Sequence, residues 1–311
     1  MNIVVPQSGI DVAKDELVVS IQECEPFGIP NDENHCLELA NRLPKDGVVH
    51  IEASGGYERL VRRVLTEAGI KVVVHNPLKP RRLAQALGTK AKTDPVDAKV
   101  LSRSGALLPE GSVKSISRQQ LADHSRAIDT LRTQVGKLKK QMGMPELDSE
   151  AQRIYAGVIQ DLEKRIEEAV TSFQARVKTS PLFKDYQLVQ SIPSLGQTTA
   201  RICMCELPED FATRSPGEIA SYAGLAPIDA SSGKSKAARL GHGNSRLKAA
   251  FYMPAVCAIR SQKWARDLYA RLKAKGRTHQ SAIVAVMRRL LVRVVAVLKR
   301  GSPWEAEPPK A

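Results

Sequence analysis

Four acidic residues in the first third of the chain stand where chemistry on phosphate would need them. Asp11 and Glu52 each lie near the end of a predicted apolar strand, and Asp94 and Asp97 are three residues apart at the start of a predicted helix. Carboxylates that project together need a cation to offset their repulsion. Mg²⁺ is the expected ion because it prefers oxygen ligands and shares its shell with phosphate oxygens. Singly, each acid could instead be a helix cap, a turn residue or a solvated charge.

A polar loop after Pro227, with the sequence IDASSGKSKAARLGHGNSRLK, is a second candidate site. A glycine-rich basic loop can approach a phosphodiester closely, and a serine hydroxyl there could attack phosphorus. The cationic residues are Lys234, Lys236, Arg239, Arg246 and Lys248. A nucleotide-binding P-loop is excluded, since Ile228 occupies its first glycine position and no apolar strand precedes it. The alternative is a flexible basic loop without catalytic duty, in which His242 is incidental.

The segment SIPSLGQTTA, residues 191–200, predicts a turn that opens a helix. Backbone N–H groups at such a turn, around Ser194 and Gly196, face a phosphate at the positive end of the helix dipole. The segment resembles the helix-hairpin-helix element that contacts DNA backbones without sequence preference. Ser194 stands where glycine is commoner. An ordinary turn between helices is the alternative.

The elements that must position these residues fall into three predicted regions. Residues 1–112 alternate strands (8–12, 17–22, 47–53, 70–75) with helices (57–68, 81–87, 95–107), which indicates an α/β domain. Residues 113–180 repeat apolar residues at intervals of three and four, which indicates two long antiparallel helices or a coiled-coil arm. An internal helical hairpin packed on its own domain is the alternative.

Residues 181–311 are predicted to be mostly helical, at 198–207, 216–223, 245–260, 264–274 and 279–299. The apolar stripe 283–298 is expected in a core or interface with its arginines turned outward. Cys203 and Cys205 lack a second pair at zinc spacing, so core packing is expected for both. The proline-rich tail from Pro303 is expected to fray.

The net charge points to a polyanionic partner. The chain of 311 residues has 47 Lys and Arg against 33 Asp and Glu, a formal charge of +14. Residues 181–311 hold 21 of the basic and nine of the acidic residues, so most of the excess lies there. No long uncharged apolar run indicates a membrane span, and the first residues show no secretory signal. An odd number of cysteines, five, fits a reducing cytoplasm.

Six segments, taken in order, resemble the Piv-type insertion-sequence transposases. They are GIDVAK, IEASGGYE, HNPLKPRRLAQALGTKAKTDPVDAKVLS, SIPSLGQTTA, AGLAPIDASSGK and GHGNSRLKAAFYMPA. The resemblance spans about residues 7–304. It implies an RNase H-like (RuvC-like) DEDD domain at the N-terminus and a C-terminal transposase domain that carries a serine.

The resemblance also implies residue roles. The acidic tetrad that binds Mg²⁺ falls on Asp11, Glu52, Asp94 and Asp97, and the nucleophilic serine on Ser232, with Ser231 as the adjacent ambiguity. Attack on DNA would give a phosphoserine and a free 3′-hydroxyl, followed by strand exchange and religation. Implied partners are donor and target DNA, a guide (bridge) RNA as in some members, and further copies in a homodimer or homotetramer joined through the arm. A bacterial, nucleoid-associated cytoplasmic location is implied as well.

Two other functions remain open at this point. In a Mg²⁺-dependent, RuvC-type junction nuclease, a metal-activated water attacks and Ser232 only binds phosphate. In a non-catalytic protein that binds DNA or RNA, the acids are structural, and binding is salt-sensitive without cleavage. A covalent protein–DNA adduct separates the recombinase from both.

Overall fold

The computed structural model describes residues 5–22, 24–86, 94–108, 114–229, 238–241 and 243–305. The chain forms two compact units, Met1–Val113 and Lys114–Ala311. The helical hairpin predicted as a separate arm therefore belongs to the second unit. Among the described residues, none of the helices has the length and apolar character needed to span a bilayer.

The first unit contains a five-stranded mixed sheet. Its strands are β1 (Gln7–Val12), β2 (Glu16–Ile21), β3 (Phe27–Pro30), β4 (Val48–Glu52) and β5 (Lys71–His75), in the order β3-β2-β1-β4-β5. β2 is antiparallel to β1 and β3, whereas β1, β4 and β5 are parallel. The predicted hairpin of the first two strands and the strand, helix, strand unit that follows are confirmed. β3 was not predicted.

Four helices cover the two faces of this sheet. They are α1 (Glu33–Arg42), α2 (Glu58–Glu67), α3 (Leu78–Ala86) and α4 (Asp94–Ser104), the last followed by a short 3₁₀ turn. Alternate residues of a strand face opposite sides, so Ile10 and Ile51 pack into one core with Leu39 of α1 and Val61 of α2. α4 packs against the opposite face of β1. Helix α1, capped at its start by Asp32, was not predicted.

The second unit begins with a long helical hairpin. Its helices are α5 (Ile116–Met142) and α6 (Ser149–Lys178), with Asp148 capping the second. Leu121 and Ile128 of α5 and Phe173 of α6 are buried in the core of the unit. Farther along the hairpin, apolar side chains such as Met144 are exposed. The base of the hairpin is thus part of the core, and the outer part extends from it.

The remainder of the second unit is mostly helical. Its elements are α7 (Phe183–Gln190), α8 (Gln197–Glu206), α9 (Pro216–Tyr222), β6 (Pro227–Asp229), β7 (Ala238–Leu240), α10 (Ser245–Ala250), α11 (Tyr252–Ser261), α12 (Lys263–Ala274) and α13 (His279–Arg300). The helix predicted over residues 245–260 is two helices that divide at Phe251. The small ribbon of β6 and β7 was not predicted.

The core of this unit follows the predicted apolar pattern. The stripe on α13 is buried at Val286, Leu290 and Val294. Cys203 and Cys205 are also buried, as predicted, and burial raises the pKa of the Cys205 thiol to about 11. Both residues therefore pack as uncharged apolar groups rather than acting as nucleophiles.

Candidate active site

Asp11 and Glu52 lie side by side at the carboxyl ends of adjacent parallel strands. The pairing of β1 with β4 matches Gly9 to His50, so Asp11 and Glu52, two residues further along, are at the same level. Residues two apart on a strand point to the same face. Asp11 therefore shares a face with Gly9, and Glu52 shares that face with His50.

Helix α4 lies on this same face. Gly9 has no room for a side chain, because a Cβ atom there would collide with the carbonyl oxygen of Ala98. One turn later, the Ser102 hydroxyl donates a 3.1 Å hydrogen bond to the carbonyl oxygen of Gln7. These two contacts make α4 antiparallel to β1. The N-terminal end of the helix therefore points towards the carboxyl end of the strand.

The four predicted acids thus share one end of the sheet. Asp94 and Asp97 stand in the first turn of α4, and Asp11 and Glu52 stand at the strand ends that this turn approaches. Across the described ranges, no group of three or more His, Cys, Asp or Glu side chains is close enough to hold a metal ion. Four carboxylates fit Mg²⁺ in donor chemistry, and their side chains would have to converge to bind one ion.

A buried histidine pair, which sequence reasoning missed, lies on the same face. His50 Nδ1 is 2.9 Å from His75 Nε2, and His50 Nε2 is 2.6 Å from the Gln7 side-chain oxygen. The amide oxygen only accepts, so His50 donates to Gln7, and in a neutral imidazole its Nδ1 then accepts from His75. His75 pairs in register with Glu52. In the sequence, the pair is visible only as one histidine within each of two apolar strands. The register of the two strands is what brings the rings together.

The loop that carries the predicted serine rises from a closed base. Gly224, in a left-handed conformation with a φ of 68°, lies against Gly243, where a Cβ atom would collide with the Gly224 backbone. The Asn244 N–H donates a 2.8 Å hydrogen bond to the carbonyl oxygen of Tyr222. Above these contacts β6 and β7 pair antiparallel. The two ends of the loop are therefore held together.

The tip of this loop, residues 230–237, lies outside the described residues, as does His242. The tip holds Ser231, Ser232, Lys234 and Lys236. Arg239 belongs to β7, where its backbone pairs with that of Ile228. The catalytic and DNA-binding roles of these residues stay predictions.

A buried ion network fixes the helix that follows the loop. Glu206, at the end of α8, accepts hydrogen bonds from Arg246, from the Lys114 ammonium at 2.9 Å and from the Asn244 amide at 2.9 Å. Asp129 of α5 binds the same Arg246. Arg246 thus joins two carboxylates from helices that are far apart in the sequence. Sequence analysis singled out neither carboxylate, because only the tertiary fold brings these partners together.

The network keeps both carboxylates ionised. Burial raises the pKa of Asp129, but hydrogen bonds from Arg201 and Arg246 outweigh burial and lower the pKa. Burial likewise raises the pKa of Glu206, and the Lys114 charge and the Asn244 hydrogen bond bring it below the ordinary value. The structure therefore gives Arg246, predicted to bind nucleic acid, internal partners. Lys248, on the same helix, is half-buried, and its predicted role stays a prediction.

The predicted turn between α7 and α8 has an unusual backbone. Ser194 adopts a φ of 77°, a left-handed conformation that usually requires glycine. Gln262 holds it there, donating from its side-chain nitrogen to the Ser194 hydroxyl oxygen at 2.6 Å and to the Pro193 carbonyl oxygen at 3.0 Å. Gly196 begins α8 without a side-chain cap. The serine thus reaches a glycine-like geometry with help from a distant side chain.

An aromatic cluster supports Gln262. Trp264 donates from its indole nitrogen to the Gln262 side-chain oxygen. The Arg293 guanidinium lies 3.7 Å from the Trp264 ring centre and 4.8 Å from that of Trp304. The backbone N–H of Trp304 donates a 2.7 Å hydrogen bond to the Ser191 hydroxyl oxygen. We call these residues, with Gln262, the hairpin clamp.

The hairpin clamp corrects two predictions. Arg293 was expected to point outward with its neighbours on α13, but it is only 9% exposed, because two indole rings take the place of solvent around its guanidinium. The tail from Pro303 to Ala311 was expected to fray, but at its start Trp304 is anchored on Ser191 and the Pro303 carbonyl oxygen accepts a hydrogen bond from Arg300. Residues 306–311 lie outside the described residues.

Two family models match the chain. Residues 186–270 match the transposase IS116/IS110/IS902 family, and residues 8–143 match the DEDD transposase model of IS110 elements. The chain is a DNA transposase similar to the IS110/IS116 family. The DEDD match includes the sheet and all four acids, and the mixed α/β architecture of that unit is compatible with a RuvC-like domain. The transposase is accordingly an enzyme of DNA transposition or recombination.

Similar proteins extend the comparison to nearly the full length. The transposase is 28% identical over 317 aligned residues to a pilin gene-inverting protein of Moraxella lacunata, covering 96% of this chain and 97% of that protein. The homologue from Moraxella bovis matches to the same extent. A 43.6 kDa protein of insertion element IS110 from Streptomyces coelicolor is 31% identical over 125 residues, covering 39% of this chain and 31% of that protein.

Proposed function

We propose that this transposase cuts and rejoins DNA through Ser232, assisted by Mg²⁺ held by Asp11, Glu52, Asp94 and Asp97. The observation that carries the proposal is the meeting of β1, β4 and the start of α4 at one end of the sheet. Four carboxylates from three elements share this end, within a segment that matches a DEDD transposase model. When bound, the metal supplies positive charge to the phosphate undergoing reaction.

The proposed chemistry belongs to the serine loop. The Ser232 hydroxyl oxygen forms a bond to phosphorus, and the bond from phosphorus to the 3′ oxygen breaks. The serine proton is lost, and the departing 3′ oxygen gains one. The phosphoserine link conserves the bond energy for religation, so no nucleotide cofactor is required. The closed base at Gly224 and Gly243 supports this role, because it limits where the loop can present its serine.

The proposal includes the partners of the reaction. DNA donor and target strands are the substrates, in keeping with the excess of basic residues in the second unit. A guide RNA, and assembly as a homodimer or homotetramer through the hairpin of α5 and α6, are further parts. The apolar side chains exposed on the outer hairpin, Met144, Ile154 and Val158, support the assembly. A bacterial cytoplasmic location at the nucleoid completes the proposal.

A covalent adduct assay tests the proposal. The protein, with its co-purified RNA and Mg²⁺, is incubated with end-labelled DNA that contains the element's junction, and protein–DNA adducts are separated under denaturing conditions. We expect an adduct with wild type and none with Ser232→Ala or Asp11→Ala. Ser235→Ala, in the same loop, is the matched control and should retain the adduct. An adduct that persists in Ser232→Ala and disappears in Ser231→Ala moves the nucleophile to the adjacent serine.

A Mg²⁺-dependent junction nuclease is the second candidate, favoured by the match of residues 8–143 to a DEDD model. In that enzyme a water molecule attacks and Ser232 only contacts phosphate. The same assay separates the two, because the nuclease cuts DNA without an adduct and still cuts after Ser232→Ala.

A further inference from the structure

A groove of about 770 Å³ lies within the second unit, between α5, the first turn of α8, and α10 with α11. All of its lining residues belong to the second unit. Its two long walls differ in chemistry. The nature of the occupant follows from that difference.

The α5 wall is polar and carries more positive than negative charge, because Arg126 and Lys137 line it beside Asp129, whose carboxylate is bonded to Arg201 and Arg246. Arg126, Thr130, Thr133 and Lys137 recur at intervals of four, three and four, so they form one stripe along the helix facing the groove. At the α8 side, the Arg132 guanidinium is 3.5 Å from the Thr198 hydroxyl oxygen. This wall offers the Thr130 hydroxyl and the positive charges of Arg126 and Lys137, which are groups that bind phosphate oxygens.

The opposite wall is apolar. It consists of Ala249, Ala250, Met253 and Pro254 from α10 and α11. Met253 is 60% exposed, so an adaptable, polarizable side chain faces the open groove. The Thr199 hydroxyl donates a 3.2 Å hydrogen bond to the carbonyl oxygen of Ala250 and joins α8 to this wall.

We infer that the groove binds a single-stranded segment of nucleic acid, with phosphates on the α5 wall and bases on the apolar wall. A single strand presents charge along one edge and flat apolar surfaces along the other, which matches the two walls. In a duplex the bases are stacked inside and cannot reach Met253. The occupant is therefore an unpaired strand, whether DNA or RNA.

This inference rests on the proposed function, to which it adds a binding site for a single strand. Thr198, at one side, follows the turn between α7 and α8. Arg246, at another, is the second residue of the helix that follows the serine loop. A strand in the groove therefore lies beside both elements predicted to contact phosphate.

Binding measured without Mg²⁺ tests the groove independently of any cleavage. Fluorescence anisotropy of the full-length protein is recorded with a labelled oligothymidylate, a labelled oligouridylate and a labelled hairpin duplex. Met253→Glu introduces a carboxylate on the apolar wall and should weaken single-strand binding about tenfold or more while changing duplex binding less than about twofold. Leu37→Glu, which introduces the same carboxylate at an exposed apolar residue of α1 outside the groove, is the control and should leave both unchanged.

A second pair of variants tests the cationic wall. Lys137→Ala should reduce the slope of log affinity for the single strand against log salt by about 0.7, as for one lost phosphate contact, whereas Lys140→Ala should not. Circular dichroism of each variant confirms folding. Absence of single-strand binding in wild type overturns the inference, as do equal losses for duplex and single strand or unchanged binding in both groove variants. If wild type formed no covalent adduct but the groove variants still bound single strands more weakly than their controls, the proposed serine chemistry would be contradicted. The inference about the groove would still hold.

Discussion

The two units use carboxylates in opposite ways. In the second unit, Asp129 and Glu206 are bonded to cationic side chains of the same unit, above all Arg246, and their charges are compensated within the fold. In the first unit, four acids share one end of a sheet, and no three of them are close enough to bind one metal ion. The first arrangement fixes helices. The second brings four carboxylates to one end of a sheet, where the proposed function places a cation.

This difference distinguishes a structural carboxylate from a functional one. A buried carboxylate that loses its cationic partner destabilises the fold, because an uncompensated charge remains. For an acid that serves as a metal ligand, we expect substitution to affect activity more than stability. Substitutions in the two regions should therefore affect different measurements.

The largest expected effect is on activity. Asp11→Asn should lower Mg²⁺-dependent strand cleavage by about 10³-fold or more, since it removes one ligand charge. Its melting temperature, followed by calorimetry, should change little by comparison. Asp15→Asn, at an exposed position in the following turn, is the control and should cleave normally. A markedly less stable Asp11→Asn protein would show that this acid is structural and would remove the contrast.

The largest expected effect on stability lies in the ion network. Glu206→Gln should lower the free energy of unfolding of the second unit by about 3–5 kcal/mol, because Arg246 and Lys114 lose a buried counter-charge. Urea unfolding followed by circular dichroism measures this. Glu163→Gln removes an exposed ion pair with Lys139 and should cost about 1 kcal/mol or less. Equal costs for the two substitutions would contradict the structural role of Glu206.

The same network predicts acid sensitivity. Asp129 and Glu206 have lowered pKa values in the fold, so their stabilising contribution is complete above their ordinary values of 3.8 and 4.5 and is lost as the pH falls through the folded values. The second unit should therefore lose stability below about pH 4.5. Unfolding measured between pH 6 and 3 should show a smaller loss in Glu206→Gln than in wild type. A loss of the same size in both would exclude Glu206 as a source.

The smallest expected effect concerns Gln262 of the hairpin clamp, whose hydrogen bonds to the turn join neutral groups. Gln262→Ala should cost about 1–2 kcal/mol, since it removes two hydrogen bonds that hold the turn at Ser194. Adding Ser194→Gly should recover about 1 kcal/mol, because glycine adopts a positive φ without support. The double substitution is compared with each single one by urea unfolding. No recovery would mean that Gln262 acts elsewhere than on this turn.

Much of the first unit could be predicted because its signals are local. Alternating apolar residues define β1, β2, β4 and β5, and the start of α4 follows from Pro95 after Asp94. β3 was missed because FGIP, residues 27–30, is short and contains the two residues least typical of strands. The four acids could be singled out because strand ends and a helix start are readable from the sequence. His50 and His75 were not, because their contact depends on the register of two strands.

In the second unit, contacts between distant segments limit prediction. Helical periodicity located most helices, but it could not show the division at Phe251 or the ribbon of β6 and β7. Periodicity also treats Arg293 as a surface residue, because it contains no information on the two indole rings that enclose it. Asp129 and Glu206 show the same limit, since their cationic partners come from other segments.

The position of Trp264 and Trp304 also determines how the protein can be observed. They are the two tryptophans of the chain, and both rings lie against Arg293 in the second unit. Intrinsic tryptophan emission is therefore a local signal from the hairpin clamp. The first unit, with the acids, contains no such fluorophore. An emission-monitored melt would report one unit and remain silent on the other, so a transition seen by far-ultraviolet dichroism alone would belong to the α/β unit.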